Sequence, residues 1–404
     1  MPILSAYQAI FALCGLVIVS YLFTWLNRTT RIPSVLLLLG LGIGLRFWAN
    51  EAEADFAIPG MLVEIFGTIG LIMIVLEAGL DLSLTKEKGP LIRRSFFSAL
   101  VIFLVSTALV AAALHWFFPA APLRSCIVYA IPLSIISSAI VLPSVHHLGE
   151  EKKEFLIYEA SFSDIIGIMV FNYIASDHEL TLGSSLWFGS SIVISIILSI
   201  LLCLLLMWLL IHNQLELKFF LLFAVLTLIY IGGKMLHLPS LIAVMAFGLV
   251  VNNWGLIKLP WLQRQFNTQR VEPIAHLLKS ITGETSFLIR TIFFVIFGFS
   301  IELDMLLDVE VLKVGGVILA ILLLLRFVYL RFLHRQHLLP ELFYIPRGLI
   351  TVLLFYRIPE MYQLDEFSEG VLFFLILSTG VILMLGALFY QDRPQDITHH
   401  KMDG

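Results

Sequence analysis

The chain is poor in charge. Only 13% of its 404 residues are Asp, Glu, Lys or Arg, where soluble domains carry about 25%. It has little cysteine: Cys14, Cys126 and Cys203, an odd number, all lie in apolar runs, which gives neither a disulfide framework nor a metal motif. It lacks a basic excess, the net charge being −4, so no nucleic-acid partner is expected. There is no His-rich metal cluster, no Ser/Lys or Asp/Asp protease pairing and no phosphate-binding loop, so a membrane-embedded enzyme ranks last among the readings and no cofactor is expected. The first residues, MPILSAYQAIF, place no basic residue before their apolar run and offer no clear cleavage site, so they are expected to be a retained first span rather than a signal peptide.

What the chain has is apolar length. Hydrophobic residues make up 59% and mean hydropathy is +0.97, the composition of an all-α polytopic membrane protein. Thirteen transmembrane helices fit the pattern, at 5–26, 33–48, 60–82, 94–118, 124–146, 154–176, 185–212, 218–236, 239–256, 284–304, 310–332, 340–358 and 369–391. Basic residues concentrate in alternate connecting loops, with only Arg46, Arg124, Lys234, Lys313 and Arg357 on or near the opposite side. Arg28, Arg31, Lys86, Lys88, Arg93, Arg94, Lys152, Lys153 and Lys258 fall on one side, whereas the other holds acidic stretches such as NEAEADF and LDEFSEG. By the positive-inside rule the N-terminus is outside and the C-terminus inside. The long connection 257–283 is expected to be a cytoplasmic loop containing an interfacial amphipathic helix, and the tail after Gln391 carries no expected soluble domain.

The pattern repeats. IPSVLLLLGLGIG in the second expected span matches LPSLIAVMAFGLV in the ninth, and GLDL in the third matches GFSIEL in the tenth. Matching segments lie an odd number of spans apart, so the halves have opposite orientation, the inverted-repeat plan of secondary transporters. Two spans are interrupted in corresponding places. One reads YAIPLSIISSAIVLPSV, with Pro132 and Pro143 flanking Ser137 and Ser138, and the other reads LFYIPRGLITVLLF, with Pro346, Arg347 and Gly348 in mid-span. Proline removes a backbone donor and clashes one turn back, so two broken helices are expected, with exposed carbonyl and amide ends able to line an ion site.

One span carries acids among apolar neighbours: EFLIYEASFSDIIGIMVFNYIAS, with Glu159 and Asp164. Counting from Lys152 and Lys153 at about 1.5 Å per residue puts Asp164 roughly 16 Å into a ~30 Å hydrocarbon core. Ionisable groups at that depth are costly and mark functional sites by default. A midplane carboxylate holds a cation or a proton, usually not both. Glu159 needs a counter-charge, and Arg290, Arg326 and Arg347 are the candidates. Arg326 falls at nearly the same depth, so Glu159–Arg326 is expected to be a structural ion pair. Arg290 is expected to snorkel to the headgroups. Arg347 is expected to offset nearby carbonyl ends. Glu77 is expected to line the inner entrance, with a solvated helix-end acid as the equal alternative.

RIPSVLLLLGLGIG, LIMIVLEAGLDL, SSAIVLPSV, EASFSD, LPSLIAVMAFGLVV, FFVIFGFSIEL, LLLLRFVYLR and PRGLITVLL occur in the order found in monovalent cation:proton antiporters, and the chain resembles the sodium/proton exchanger type, its electroneutral branch most of all. The resemblance implies a dimerisation domain (1–93 and 218–309), a linker helix (177–217) and a moving core domain (94–176 and 310–404) in which the broken helices cross. It implies a homodimer in the lipid bilayer, in a plasma membrane of bacterial inner-membrane type. Asp164 matches the family's cation- and proton-binding aspartate, Glu159 the acid five residues before it, and Arg326 the arginine that pairs with that acid. The sequence departs at Ser163, where the electroneutral branch carries Asn and the electrogenic branch Asp. It departs again at Ser138-Ala139-Ile140, where Thr-Asp-Pro is usual. The expected activity is exchange of Na⁺, Li⁺ or K⁺ for H⁺ by alternating access, electroneutral because one carboxylate titrates. The bound monovalent metal ion is expected on Asp164, with Ser163 and the carbonyls near Ser137 and Ser138 completing an oxygen shell. The alternatives are K⁺/H⁺ antiport of the potassium-efflux type, or a channel or transport-inactive sensor on the same fold.

Overall fold

The computed structural model describes residues 6–30, 32–51, 60–85, 87–176, 182–212, 219–235, 240–256, 268–334, 339–364 and 366–390. Its architecture is all-helical, with no strand among the described residues. The helices are α1 (Ala6–Thr30), α2 (Ser34–Glu51), α3 (Gly60–Asp81), α4 (Gly89–Phe117), α5 (Leu123–Ser134), α6 (Ser138–Ser144), α7 (Glu150–Ile174), α8 (Leu182–His212), α9 (Phe219–Met235), α10 (Ser240–Asn252), α11 (Thr268–Ser300), α12 (Val309–Val328), α13 (Leu349–Phe355) and α14 (Glu369–Phe389). Among the described residues, five segments are both long and apolar enough to cross a membrane alone: Gly89–Phe117, Leu123–Ser144, Val271–Ser300, Val309–Phe332 and Glu369–Phe389.

The helices pack as two groups. In one, α2 lies along α11 and α3 along α10, with α8 and α9 against α10. In the other, α4 packs on α5, α7 and α12, and α12 packs on α14. The groups meet where α10 touches α7, where α3 and α11 touch α13, and where α2 touches α14.

The first group is held by close backbone approach. A Cβ on Gly42 would meet the backbone of Val295, Gly298 and Phe299, and one on Gly298 would meet the backbone of Leu39. The same happens between α3 and α10, where Gly79 lies on Met245 and Gly248, and Gly248 lies on Leu76 and Gly79. Gly42 and Gly248 occupy the same place in the two matched segments, as do Gly79 and Gly298. The two crossings therefore repeat one contact between the matched segments. Small residues let apolar helices approach in this way where the hydrophobic effect supplies no drive.

The second group contains both interruptions. Helix continues through Pro132, stops at Ser134, runs extended through Ile135–Ser137 and restarts at Ser138. The later break is longer: one 3₁₀ turn at Glu341–Phe343, an unwound stretch to Gly348, then α13. The connection 257–283 is a point of correction. Residues 257–267 lie outside the described ones, but from Thr268 the chain is already helical and runs unbroken to Ser300. Its first turns belong to α11 rather than to a separate surface helix. Lys279 reaches Asp81 at 2.9 Å, so this stretch docks on α3.

Candidate functional site

The two unwound stretches cross and bind each other. Ser137 N–H donates to the Pro346 carbonyl at 2.9 Å. A Cβ on Gly348 would lie 2.5 Å from Ser137 Oγ and 2.9 Å from Ile140 Cδ1, so any larger residue would push these side chains aside where the second stretch passes the first. Arg347 is 1% exposed and serves backbone rather than a carboxylate. Its Nε donates to the Leu133 carbonyl at 2.7 Å and its Nη1 to the Ile345 carbonyl at 2.8 Å, while its N–H donates to Thr379 Oγ1 at 3.1 Å. Leu133 lies in the last turn of α5, where carbonyls lack helical partners and carry partial negative charge. A guanidinium there satisfies both needs.

Helix α7 brings its acids to this crossing. Arg124 fixes one end by donating to the Ile174 and Ser176 carbonyls at 2.6–3.1 Å. At the other end Lys88 pairs with Glu154 at 2.6 Å, and the Glu154 hydrogen bond holds the Lys88 ammonium above its ordinary pKa. Asp164 is 2% exposed. Its Oδ2 accepts from the Ser138 N–H at 3.1 Å and from the Ser138 hydroxyl. Its Oδ1 has no hydrogen-bond partner. Asp164 also lines a small cavity with Val75, Ala78, Ile168, Leu241, Met245 and Ile350, on the seam between the two helix groups. Ser137 Oγ is likewise buried without a partner. A buried carboxylate oxygen left unbonded beside a break in two helices is a donor of the kind that suits a hard monovalent cation or a proton.

Ser163 Oγ accepts from the Ile136 N–H at 2.9 Å, so it ties α7 to the extended residues of the first break.

Glu159 lies five residues earlier on α7 and is 1% exposed. Arg326, 0% exposed, reaches it from α12 with two parallel bonds, Nη1 to Oε1 at 2.5 Å and Nη2 to Oε2 at 2.7 Å. Ser98 adds a hydroxyl donor from α4. This fork-to-fork geometry is the strongest form of ion pair, and each of the two acid oxygens is occupied. Arg326 Nε continues to the Glu341 carbonyl at 3.1 Å, so the pair also anchors the 3₁₀ turn that precedes the second break.

Two sequence expectations are corrected on α3. Glu77 and Arg290 pair with each other at 3.2 Å, their side chains 14% and 16% exposed. Arg290 therefore does not reach outward to the headgroups, and Glu77 is neither a free entrance acid nor a solvated one. The two lie on α3 and α11, which run side by side, but nothing in either segment's own pattern encodes the register between them. Sequence reasoning also missed Thr379, which holds the Arg347 backbone, and Glu341, an acid sitting where the second broken span begins.

The sequence matches the family model described as "Sodium/hydrogen exchanger, transmembrane" over residues 15–389. Among curated proteins none matches. Among solved structures the fold is similar to that of the sodium proton antiporter MjNhaP1 from Methanocaldococcus jannaschii. The structure of that protein at pH 8 superposes with a TM-score of 0.68 at 19% identity, covering 95% of this chain and 99% of the other. An electron-microscopy structure of the same protein gives 0.68 at 17% identity, covering 96% and 100%.

Proposed function

Because the chain belongs to the sodium/hydrogen exchanger family, we propose that it exchanges Na⁺, Li⁺ or K⁺ for H⁺ across a membrane, one for one, by alternating access. The observation that carries the reading is the state of Asp164. It is buried at the crossing of two broken helices, one oxygen is held by Ser138, the other is bare, and its side chain borders a cavity on the seam between the helix groups. The bare oxygen and Ser137 Oγ would take the cation, and the same carboxylate would take the proton when the cation leaves. Hard cations suit such oxygen donors.

Electroneutrality follows from counting charges. Glu159 is committed to Arg326, and Arg347 is committed to carbonyls, so Asp164 alone changes its load during a cycle. In this reading α4–α7 and α12–α14 move as the core, while α1–α3 and α9–α11 stay still and form the homodimer, with α8 linking them. The N-terminus is outside and the C-terminus inside.

The test is cation-driven proton flux in proteoliposomes, read with a trapped pH-sensitive dye for Na⁺, Li⁺ and K⁺ in turn. Wild-type protein dissipates an imposed pH gradient on cation addition and Asp164→Asn does not. A variant as fast as wild type would remove Asp164 from the reaction, and a membrane voltage generated by exchange would overturn the one-for-one stoichiometry.

A further inference from the structure

One face of α12 takes no part in the proposed exchange. Val317, Ala320, Leu324 and Phe327 recur on it at helical spacing and, with Leu342 from the 3₁₀ turn opposite, line an open groove of about 630 Å³ whose lining side chains are all apolar. The stretch from Val317 to Phe327 rises roughly 15 Å along the axis. That is half of a ~30 Å hydrocarbon core, the depth of one leaflet.

The groove has a cation at one end. Arg331 follows Phe327 by one turn, where α12 gives way to the wider π winding of Tyr329–His334. Tyr329 and Leu330 turn inward there, and Arg331 and Phe332 are exposed. The basic groups around the 341–343 turn are engaged, Arg326 on Glu159 and Lys152 on Tyr390. The Arg331 guanidinium makes no ion pair or hydrogen bond among the described residues, and the groove brings no acid to it. A flat apolar face accepts any lipid tail equally. A concave one, as deep as a leaflet and ending at an unanswered cation, has two matched needs.

We propose that this groove is a binding site for an anionic phospholipid, one acyl chain lying along α12 and the phosphate resting on Arg331. The fork of a guanidinium fits phosphate oxygens, and a basic residue at the surface favours an anionic lipid over a zwitterionic one. The site lies on α12, away from Asp164, and does not depend on which cation is exchanged. Its effect reaches the second broken span through Leu342. That residue belongs to the Glu341–Phe343 turn, which Arg326 Nε holds at the Glu341 carbonyl. A chain seated in the groove packs on this turn and steadies it, so lipid binding raises stability.

The experiment titrates delipidated protein in detergent with phosphatidylglycerol or phosphatidylcholine of the same chains and reads the melting temperature, with bound lipid counted by native mass spectrometry. Wild type is expected to gain a few degrees with phosphatidylglycerol, at a half-effect concentration about fivefold below that of phosphatidylcholine. Arg331→Gln should bring the two lipids level. Ala320→Phe, on the exposed face, should fill the groove and weaken the response to both. Lys313→Gln, at the other end of the same helix, should keep the preference. Equal responses in wild type, a preference that survives Arg331→Gln, or an unchanged response in Ala320→Phe would each overturn the site. So would loss of the preference in Lys313→Gln, which would make it a matter of overall charge. An equal gain with inorganic phosphate would make Arg331 a free-anion site and overturn the lipid assignment.

Discussion

Glu159 and Asp164 lie on the same helix and both are sealed from solvent, yet their surroundings treat them oppositely. Around Glu159 both oxygens are occupied by Arg326, with Ser98 adding a third donor. Around Asp164 only Oδ2 is held, by a single serine, and Oδ1 is bare beside a cavity. No arginine is bonded to it among the described residues. Burial alone therefore does not mark a working acid. A fully answered carboxylate is a fixture of the fold, and an incompletely answered one has capacity left for an ion.

The contrast can be broken most severely at the unanswered acid. Asp164→Asn should lower cation-driven proton flux at least about 100-fold with little change in thermal stability, because it removes the titrating group and leaves no unpaired charge. Next comes the answered acid. Arg326→Ala should cost about 3–5 kcal/mol by stranding Glu159, read as a lower melting temperature in detergent. Exchanging the two residues, Glu159→Arg with Arg326→Glu, should recover a large part of what either single change loses. If the double variant melts no higher than the singles, pairing is not what holds these residues in place.

A smaller effect is expected where the two unwound stretches cross. Gly348→Ala puts a Cβ against Ser137 Oγ and Ile140 and should cost about 1–3 kcal/mol as an overpacked contact, with exchange slowed alongside. The mildest change sharpens the contrast. Ser138→Ala removes the hydroxyl from Asp164 but leaves the Ser138 N–H, a loss of one hydrogen bond worth about 1 kcal/mol. Apparent cation affinity should weaken roughly fivefold, measured as the half-saturating Na⁺ or K⁺ concentration, with the melting temperature lowered by only a few degrees.

Much of this was legible in the sequence because the physics is local. Apolar length and loop charge mark the helices. The prolines bracket the first break, which falls at Ile135–Ser137 between Pro132 and Pro143. Counting rise per residue was enough to bring Arg326 to the depth of Glu159, since both lie on regular helices. Where side-chain direction or inter-helix register decides, the sequence is silent. Ser163 sits next to Asp164 in the chain, but on a helix adjacent residues point roughly 100° apart, so its hydroxyl meets Ile136 instead of sharing the aspartate's outlook. The Glu77–Arg290 pair depends on how α3 slides along α11, which hydropathy does not encode. Glu341 reads as an ordinary polar residue at a span boundary until the fold closes over it.

The close pass of Gly348 over the Ser137 and Ile140 side chains has a consequence for ancestry. It sets side chains of the first broken span against the backbone of the second, so the two halves do not accumulate changes independently at this spot. A chimera carrying the first break from one relative and the second from another should fail at the junction even when each half is sound in its own parent, and transplanting both breaks together should restore it.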